Sequence, residues 1–425
     1  MPCFSLPYGN SVISGSLPDS IAVDTLLPPI SSIVCDEELL VQDAITHPIG
    51  TFSWKNVSPA GSVAIAINDK TRPVPNSILV PALLGKLDQI GFTPDQITFF
   101  IATGTHTPMK KEEFGLLLPE NIEKNYKIVS HDCDNEQNLT YLGETKRKTP
   151  VYINSSFYKS DYKFLIGNIE PHHFMGYSGG AKTASIGLTG RQTINKNHAM
   201  LVEPESTFGV YGKNPTRQDV EEIGDLIKVD AALNVVMNSS RQIMHAVFGS
   251  IREVMSVGIP LSRKICQTNV THSNYDLVIA SPGGYPKDIN LYQSQKALSH
   301  AASITRDGGC VILVAECKEG VGSNSYEAFM EGIKSIDAVF SKLQQEGFKV
   351  GPHKALQFAR EQRRIRIIVV SSLDADRLSR LLLEPSASLE DACKIACTNL
   401  PKNAKIAIMP KATNTIPSLE INDIV

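Results

Sequence analysis

Short apolar runs alternate along this chain with stretches in which apolar residues recur every three or four positions. Val63-Ala-Ile-Ala-Ile67 is the first such run, closed by Asn68-Asp69. Leu79, Leu83, Leu84, Leu87 and Ile90 follow at helical spacing, and Gly91 stops the pattern. Ile97-Thr-Phe-Phe-Ile101 is the next predicted strand and ends at Thr103-Gly-Thr-His106. Tyr162-Lys-Phe-Leu-Ile166 reads as a buried strand ending near His172, and Leu233-Asn-Val-Val-Met237 as another. Strands separated by helices favour a parallel sheet covered on both faces.

The polar stretch Cys266-Gln-Thr-Asn-Val-Thr-His-Ser-Asn274 interrupts this rhythm. A second series then begins, with strands predicted at Leu277–Ala280, Val311–Ala315, Ile365–Val370 and Ile406–Ile408. The expected fold is therefore α/β in two domains, each built on a mainly parallel sheet covered by helices. A chain of 425 residues accommodates two such domains. The pattern assigns residues 1–270 to an N-terminal domain and 275–399 to a C-terminal one, with the tail 400–425 packing back on the first. The ligand site is expected in the cleft between them, where such sites are common.

Composition narrows the function. Hydrophobic residues make up 42% and charged residues 20%, with a formal net charge of -3. That balance gives no strong field for nucleic acid or an anionic membrane, so neither is expected as a partner. No apolar run is long enough to span a bilayer, and the first residues do not resemble a secretory signal. A cytoplasmic location is expected by elimination. The eight cysteines form no C-x-x-C pair. Cys393 and Cys397, four apart, read as thiols on one helix face.

The densest chemistry lies in Glu170-Pro-His-His-Phe-Met-Gly-Tyr-Ser-Gly-Gly-Ala-Lys182, with His198 shortly after. Gly-Gly permits a tight turn around a ligand, Lys182 is a candidate nucleophile or anchor, and histidine is a base or metal ligand. Asp69 and Arg72 follow one strand, His106 another and His172 a third. Open α/β sheets bind ligands beyond the carboxyl ends of their strands, which gathers these groups on one rim. In the second series, Tyr292 and Lys296 sit four apart and share a helix face, with Gln293 beside them.

Each element has a plainer explanation. Asp69 and Arg72 fit a turn with a local ion pair, His106 a loop residue bonded to backbone, and His198 a helix cap. Lys182 and Lys296 fit solvated lysines. Adjacent side chains on a strand diverge, so His172 and His173 cannot both face one site, and His173 is assigned a structural place. Gly283-Gly284 alone is a weak phosphate-loop signal, because the full dinucleotide fingerprint is absent. The joint arrangement weakens the plainer readings more than any single residue does.

Taken together, Asp69-Lys-Thr-Arg72-Pro, Gly104-Thr-His106, the Pro171–Lys182 run, His198 and Leu291-Tyr-Gln-Ser-Gln-Lys296 resemble the nickel-dependent lactate racemases over nearly the whole chain. The resemblance implies an isomerase that racemises or epimerises a small 2-hydroxy acid, with lactate as the leading substrate. It implies a nickel-pincer nucleotide, a pyridinium-3-thioamide-5-thiocarboxylic acid mononucleotide, covalently attached to Lys182, with His198 as the protein ligand to nickel. Cofactor-maturation proteins follow as partners. His106 and His172 would be the two bases, one for each enantiomer, while hydride leaves the α-carbon for the cofactor. Arg72, Tyr292, Gln293, Lys296 and Asp69 would bind substrate, Asp69 by orienting a neighbouring cation or histidine.

The segment Gly351-Pro-His-Lys-Ala-Leu-Gln-Phe358 is the expected place of side-chain discrimination, with Leu356 and Phe358 as candidates. Thr107 follows His106, where the resemblance implies an arginine in many relatives. A larger or more polar 2-hydroxy acid is the alternative substrate. Two rivals come from other classes: a nicotinamide-dependent oxidoreductase, and a non-catalytic two-domain protein that closes on a small anion.

Overall fold

The computed structural model describes residues 3–18, 22–29, 36–72, 74–272, 274–347, 351–398, 400–401 and 403–418. The chain divides into two compact units, one of Ser31–Ile265 and Ile421–Val425, the other of Met1–Ile30 and Cys266–Glu420.

In the first of these, six strands lie in the order Ile243–Gly249, Ala231–Met237, Tyr162–Asn168, Val63–Asn68, Ile97–Ala102 and Lys127–Ser130. All neighbours are parallel except the pair Ala231–Met237 and Ile243–Gly249. Alternate residues feed two cores. Ile65, Ile67, Phe99, Ile101, Phe164 and Ile166 pack on one face with Leu79, Leu83 and Leu87 of the helix Asn76–Ile90. Ala64, Ala66, Phe100 and Leu165 pack on the other with Ile223 and Val254. Burial on both faces is why these strands read as unbroken apolar runs. Gly91 ends the Asn76–Ile90 helix at φ +106°, a left-handed turn suited to glycine.

The other unit holds six parallel strands in the order Glu384–Ser386, Arg366–Val370, Thr305–Val314, Tyr275–Ala280, Ile406–Met409 and Val23–Thr25. Its sheet also separates two cores, with Val278, Val311 and Val369 on one face and Ile279, Ile312 and Ile368 on the other. A hairpin, Cys3–Tyr8 with Ser11–Ser16, sends Leu6 into the second of these cores, and Leu17 follows just after it.

Two boundaries differ from the expectation. The described residues before position 30 belong with the second sheet, not with the first domain, because Val23–Thr25 pairs with Ile406–Met409. The tail also stays in this unit: Ile406–Met409 lies beside Tyr275–Ala280, and Ile416–Ser418 pairs with Gln267–Asn269. Residues 419–425 of the expected tail lie outside the described residues. The polar stretch read as a break thus contains a short strand, and Cys393 is buried on the helix Leu389–Cys397 while Cys397 is half-buried. Among the described residues no helix is long and apolar enough to cross a membrane.

Candidate active site

The Val63–Asn68 strand is where the sheet of the Ser31–Ile265 unit changes direction of growth. Ile97–Ala102 and Lys127–Ser130 extend it on one side; Tyr162–Asn168 and Ala231–Met237 extend it on the other. Ligand sites favour the opening beyond the strand ends at such a switch point. Asn68 and Asn168 close the two strands that flank it, and Thr183 Oγ1 donates to Asn68 Oδ1 at 3.3 Å.

Asp69, next along the chain, is buried and accepts from His106 Nδ1 at 2.6 Å. The Asp69 carboxylate thus faces an imidazole, as the indirect form of its expected role would require. Thr71 donates to the other oxygen through both its hydroxyl, at 2.7 Å, and its amide, at 3.0 Å. Burial works to raise the Asp69 carboxyl, but these hydrogen bonds and the His106 ring hold it below its ordinary value. Asp69 therefore fixes the Nδ1–H form of His106 and leaves Nε2 for proton transfer. His106 is exposed, on a turn in which its amide bonds Thr103 O and Gly104 N bonds Gly187 O.

His172 reaches the rim from the other side of the Val63–Asn68 strand. It sits in a two-residue strand paired with Gly176–Tyr177, after which the chain turns at once. The His172 and His173 rings stack at 4.5 Å, with 24° between their planes. This corrects the expectation that they diverge: the rule for extended neighbours fails where the strand ends at His172. Phe174 stands edge-on to His172 at 5.0 Å and to His198, on the helix Arg191–Ala199, at 5.1 Å. Burial first, then the charges of Lys182, His173, Arg72 and His198, pushes the His172 imidazole well below its ordinary value. The ring is therefore neutral at physiological pH. The Met175 amide donates to Nδ1 at 3.3 Å, a long hydrogen bond that holds the tautomer only weakly.

Lys182 begins a single helical turn after the Gly179-Gly180 bend. Gly179 has φ +82° and Gly180 φ +57°; a Cβ on the first would fall 2.7 Å from Asn234 Oδ1, and on the second 2.8 Å from Arg217 Nη2. Glycine is required here by both conformation and space. Asn234 Oδ1 accepts from Gly180 N at 2.6 Å. The wholly buried Arg217 donates to Tyr177 O and Gly179 O, each at 3.0 Å, and its Nε to Glu221 at 2.8 Å. Neither Arg217 nor Asn234 was singled out in the sequence. Asn234 carries a legible signal, an amide inside the apolar run Ala231–Met237; Arg217 and Glu221, four apart on a helix, read as a solvated pair. Burial, then the charges of Arg72 and Arg217, brings the Lys182 ammonium down to about 7, with Glu170 opposing. A substantial fraction is neutral amine, the nucleophilic form. Arg72 is exposed, and its Nη1 donates to Thr71 O at 3.2 Å.

The residues present fit the cofactor that the resemblance implies. Lys182 offers a half-buried amine that can take a covalent link, and the half-buried imidazole of His198 stands one ring away from His172. Among the described residues no group of three or more His, Cys, Asp or Glu side chains is placed to hold a metal ion. That is compatible with one protein ligand, the remaining donors arriving with the nucleotide.

The other unit carries the remaining candidates on the helix Leu291–Ile304, capped by Asn290, which accepts from Gln293 N at 2.9 Å. Tyr292 is half-buried, while Gln293 and Lys296 are exposed. Against this helix lies His353–Gln362, the heart of the segment expected to discriminate side chains. Leu356 and Phe358 prove to be core residues, Phe358 stacking on Tyr326 at 6.0 Å. Lys354 instead points to Tyr292: its Nζ lies 4.6 Å from the ring centroid and donates to Gln295 Oε1 at 2.8 Å. Burial, then the charge of Lys296, brings the Lys354 ammonium to about 7.

Comparison with known proteins falls in with this geometry. The chain matches the family models of the lactate racemase N-terminal domain over residues 8–209 and the lactate racemase C-terminal domain over residues 270–416. It belongs to the lactate racemase family. A lactate racemase from Thermoanaerobacterium thermosaccharolyticum is 29% identical over 98% of this chain and 99% of its own length. One from Lactiplantibacillus plantarum is 27% identical over 98% of this chain and the whole of its own. The structure of the Thermoanaerobacterium thermosaccharolyticum apoprotein matches with a TM-score of 0.86 at 28% identity, covering 98% of this chain and 100% of that one. A Thermotoga maritima protein, 17% identical with a TM-score of 0.61 over 90% of this chain and 97% of its own, shares the fold. Membership in the lactate racemase family, a family of isomerases, sets aside both the nicotinamide-dependent oxidoreductase and the non-catalytic binding protein.

Proposed function

We propose that this protein inverts the C2 centre of a small 2-hydroxy acid, lactate being the acid for which its relatives are named, with a nickel-pincer nucleotide held by Lys182 and His198. The observation that carries this reading is the unequal pair of imidazoles on either side of the Val63–Asn68 strand. His106 is backed by the Asp69 carboxylate, and His172 is kept neutral by burial and neighbouring cations. Bound there, the nucleotide supplies the hydride acceptor that spares the substrate a carbanion beside its carboxylate.

The protein's own groups supply the proton traffic. His172, neutral, takes the hydroxyl proton of one enantiomer. His106 takes that of the other, and Asp69 stabilises its ring once Nε2 is protonated. Each inversion puts one proton on one imidazole and removes one from the other. Proton exchange with solvent resets the pair before the next turnover in the same direction. Arg72 can grip the substrate carboxylate through a bidentate contact. Tyr292, Gln293 and Lys296 keep the substrate-binding roles implied by the resemblance.

The test uses protein matured in its natural host, with intact mass, nickel content and a chiral assay on lactate. Wild type is expected to carry nickel and an added mass on Lys182, and Lys182→Ala to lose both the covalent mass and inversion. Full inversion by Lys182→Ala would count against the attachment. Substrate deuterated at C2 should keep its label through inversion. Rapid loss of that label to solvent would sink the hydride reading, since it signals carbon deprotonation.

A further inference from the structure

The reading above gives Tyr292 a role and leaves the lysine over its ring without one. Lys354 is buried on the helix His353–Gln362, and among the described residues it has no carboxylate partner. Taking an ammonium out of water without an anion is costly, and a methionine would fill similar space without that cost. A cation retained on those terms points to a task that packing alone does not fill.

The neighbouring helix shows what that task is. Lys354 Nζ donates to Gln295 Oε1 at 2.8 Å, and Gln295 Nε2 donates in turn to Ser299 Oγ at 2.7 Å. The ammonium is therefore tied to the helix Leu291–Ile304 one turn beyond Tyr292. The same Nζ lies 4.6 Å from the Tyr292 ring centroid, where the face of an aromatic ring attracts a cation. His353 stands edge-on to that ring at 5.9 Å, with 85° between the planes, and its Nδ1 accepts from Gly351 N at 3.1 Å. Two consecutive residues thus hold the ring. The hydroxyl is treated differently: among the described residues it makes no hydrogen bond. A tyrosine as buried as this one normally pairs its O–H. A fixed ring with an uncommitted hydroxyl is a donor kept in place for a ligand.

We propose that Lys354 is a positioning residue for Tyr292: anchored on Gln295, it holds the phenol ring against His353 so that the hydroxyl is presented to substrate. This rests on the substrate-binding role of Tyr292 in the reading above and names the group that enforces it. Every member of the clamp belongs to the Cys266–Glu420 part of one unit.

Two readouts on the full-length protein test this, one without catalysis and one with it. In nuclear magnetic resonance of protein isotopically labelled at tyrosine Cζ, Tyr292→Phe identifies the Tyr292 signal by its loss. Lys354→Met is expected to move that signal; a signal that stays in place overturns the clamp. In the nickel-loaded enzyme, Lys354→Met is expected to raise KM for lactate about tenfold, the weight of one hydrogen bond, with a smaller fall in kcat. Lys354→Arg should recover part of the loss, because a guanidinium also lies well over an aromatic ring. In a Tyr292→Phe background, Lys354→Met should add nothing, since the hydroxyl it placed is gone. An equal rise in KM in both backgrounds overturns the proposal, as does an unchanged KM in Lys354→Met alone. A melting temperature at or above wild type is expected for Lys354→Met and separates the rise in KM from misfolding. If that variant is less stable than wild type, Gln295→Met, which unties the ammonium from the neighbouring helix, carries both readouts in its place. Failure of the reading above has its own signature. Nickel-loaded wild type that inverts no lactate removes lactate racemisation, and the resonance of Tyr292 still decides whether Lys354 holds it.

Discussion

A carboxylate behind an imidazole decides which nitrogen carries the proton and how stable the charged ring is. Asp69 holds that position toward His106. Asp69→Asn would offer an amide in place of an acceptor of full charge, and about a 100-fold or larger fall in turnover is expected. The equilibrium between enantiomers is fixed, so kcat/KM should fall equally for both; a chiral assay run in each direction checks this. Arg217 acts further back. It clamps the carbonyls of Tyr177 and Gly179, and so sets the bend that delivers Lys182. Arg217→Met strands Glu221 in the interior with the Tyr211 hydroxyl as its remaining side-chain donor. A loss of about 3 to 5 kcal/mol is expected from breaking such a pair, measurable by urea unfolding. His106, His172, Lys182 and His198 were visible as reactive residues in the chain. Arg217 and Lys354 were not, because a lone cation in a helical stretch looks the same whether it faces solvent or the interior.

At the scale of elements, the two helices Leu291–Ile304 and His353–Gln362 hold a cation that folding makes less basic. The unfolded lysine binds its proton up to about pH 10.4, the folded one up to about 7. Between those values the unfolded state carries the extra proton, so stability from this group rises with pH and the penalty is full below 7. Lys354→Met should therefore be more stable than wild type at pH 6 to 7, and the gap should close towards pH 10; denaturant midpoints at several pH values measure it. The central strands were legible because burial on both faces writes an apolar run, as in Val63–Ile67 and Ile365–Val370. Edge elements were not. Lys127–Ser130 is half-exposed, Val23–Thr25 has three residues, and Gln267–Asn269 is polar throughout. The turn at His173 was also hidden, since a two-residue strand leaves no periodicity to read.

At the scale of the whole molecule, the two-sheet α/β plan was readable and the division of the chain was not. A contiguous domain is the natural guess from a linear pattern, whereas pairing between distant segments leaves no local trace. The Ser31–Ile265 unit has cores on both faces of its own sheet, so a fragment of residues 31–265 is expected to unfold cooperatively by itself; a thermal melt followed by near-ultraviolet circular dichroism would reveal it, and a broad, featureless transition would argue otherwise. The other unit has no such independence. Val23–Thr25 finds its partner only at Ile406–Met409. On the ribosome, the leading segment must therefore wait, its strand edge open, until Ile406–Met409 has emerged. Chaperone capture during synthesis would concentrate on that opening stretch, and a late stop codon would unmake the beginning of the protein as surely as its end.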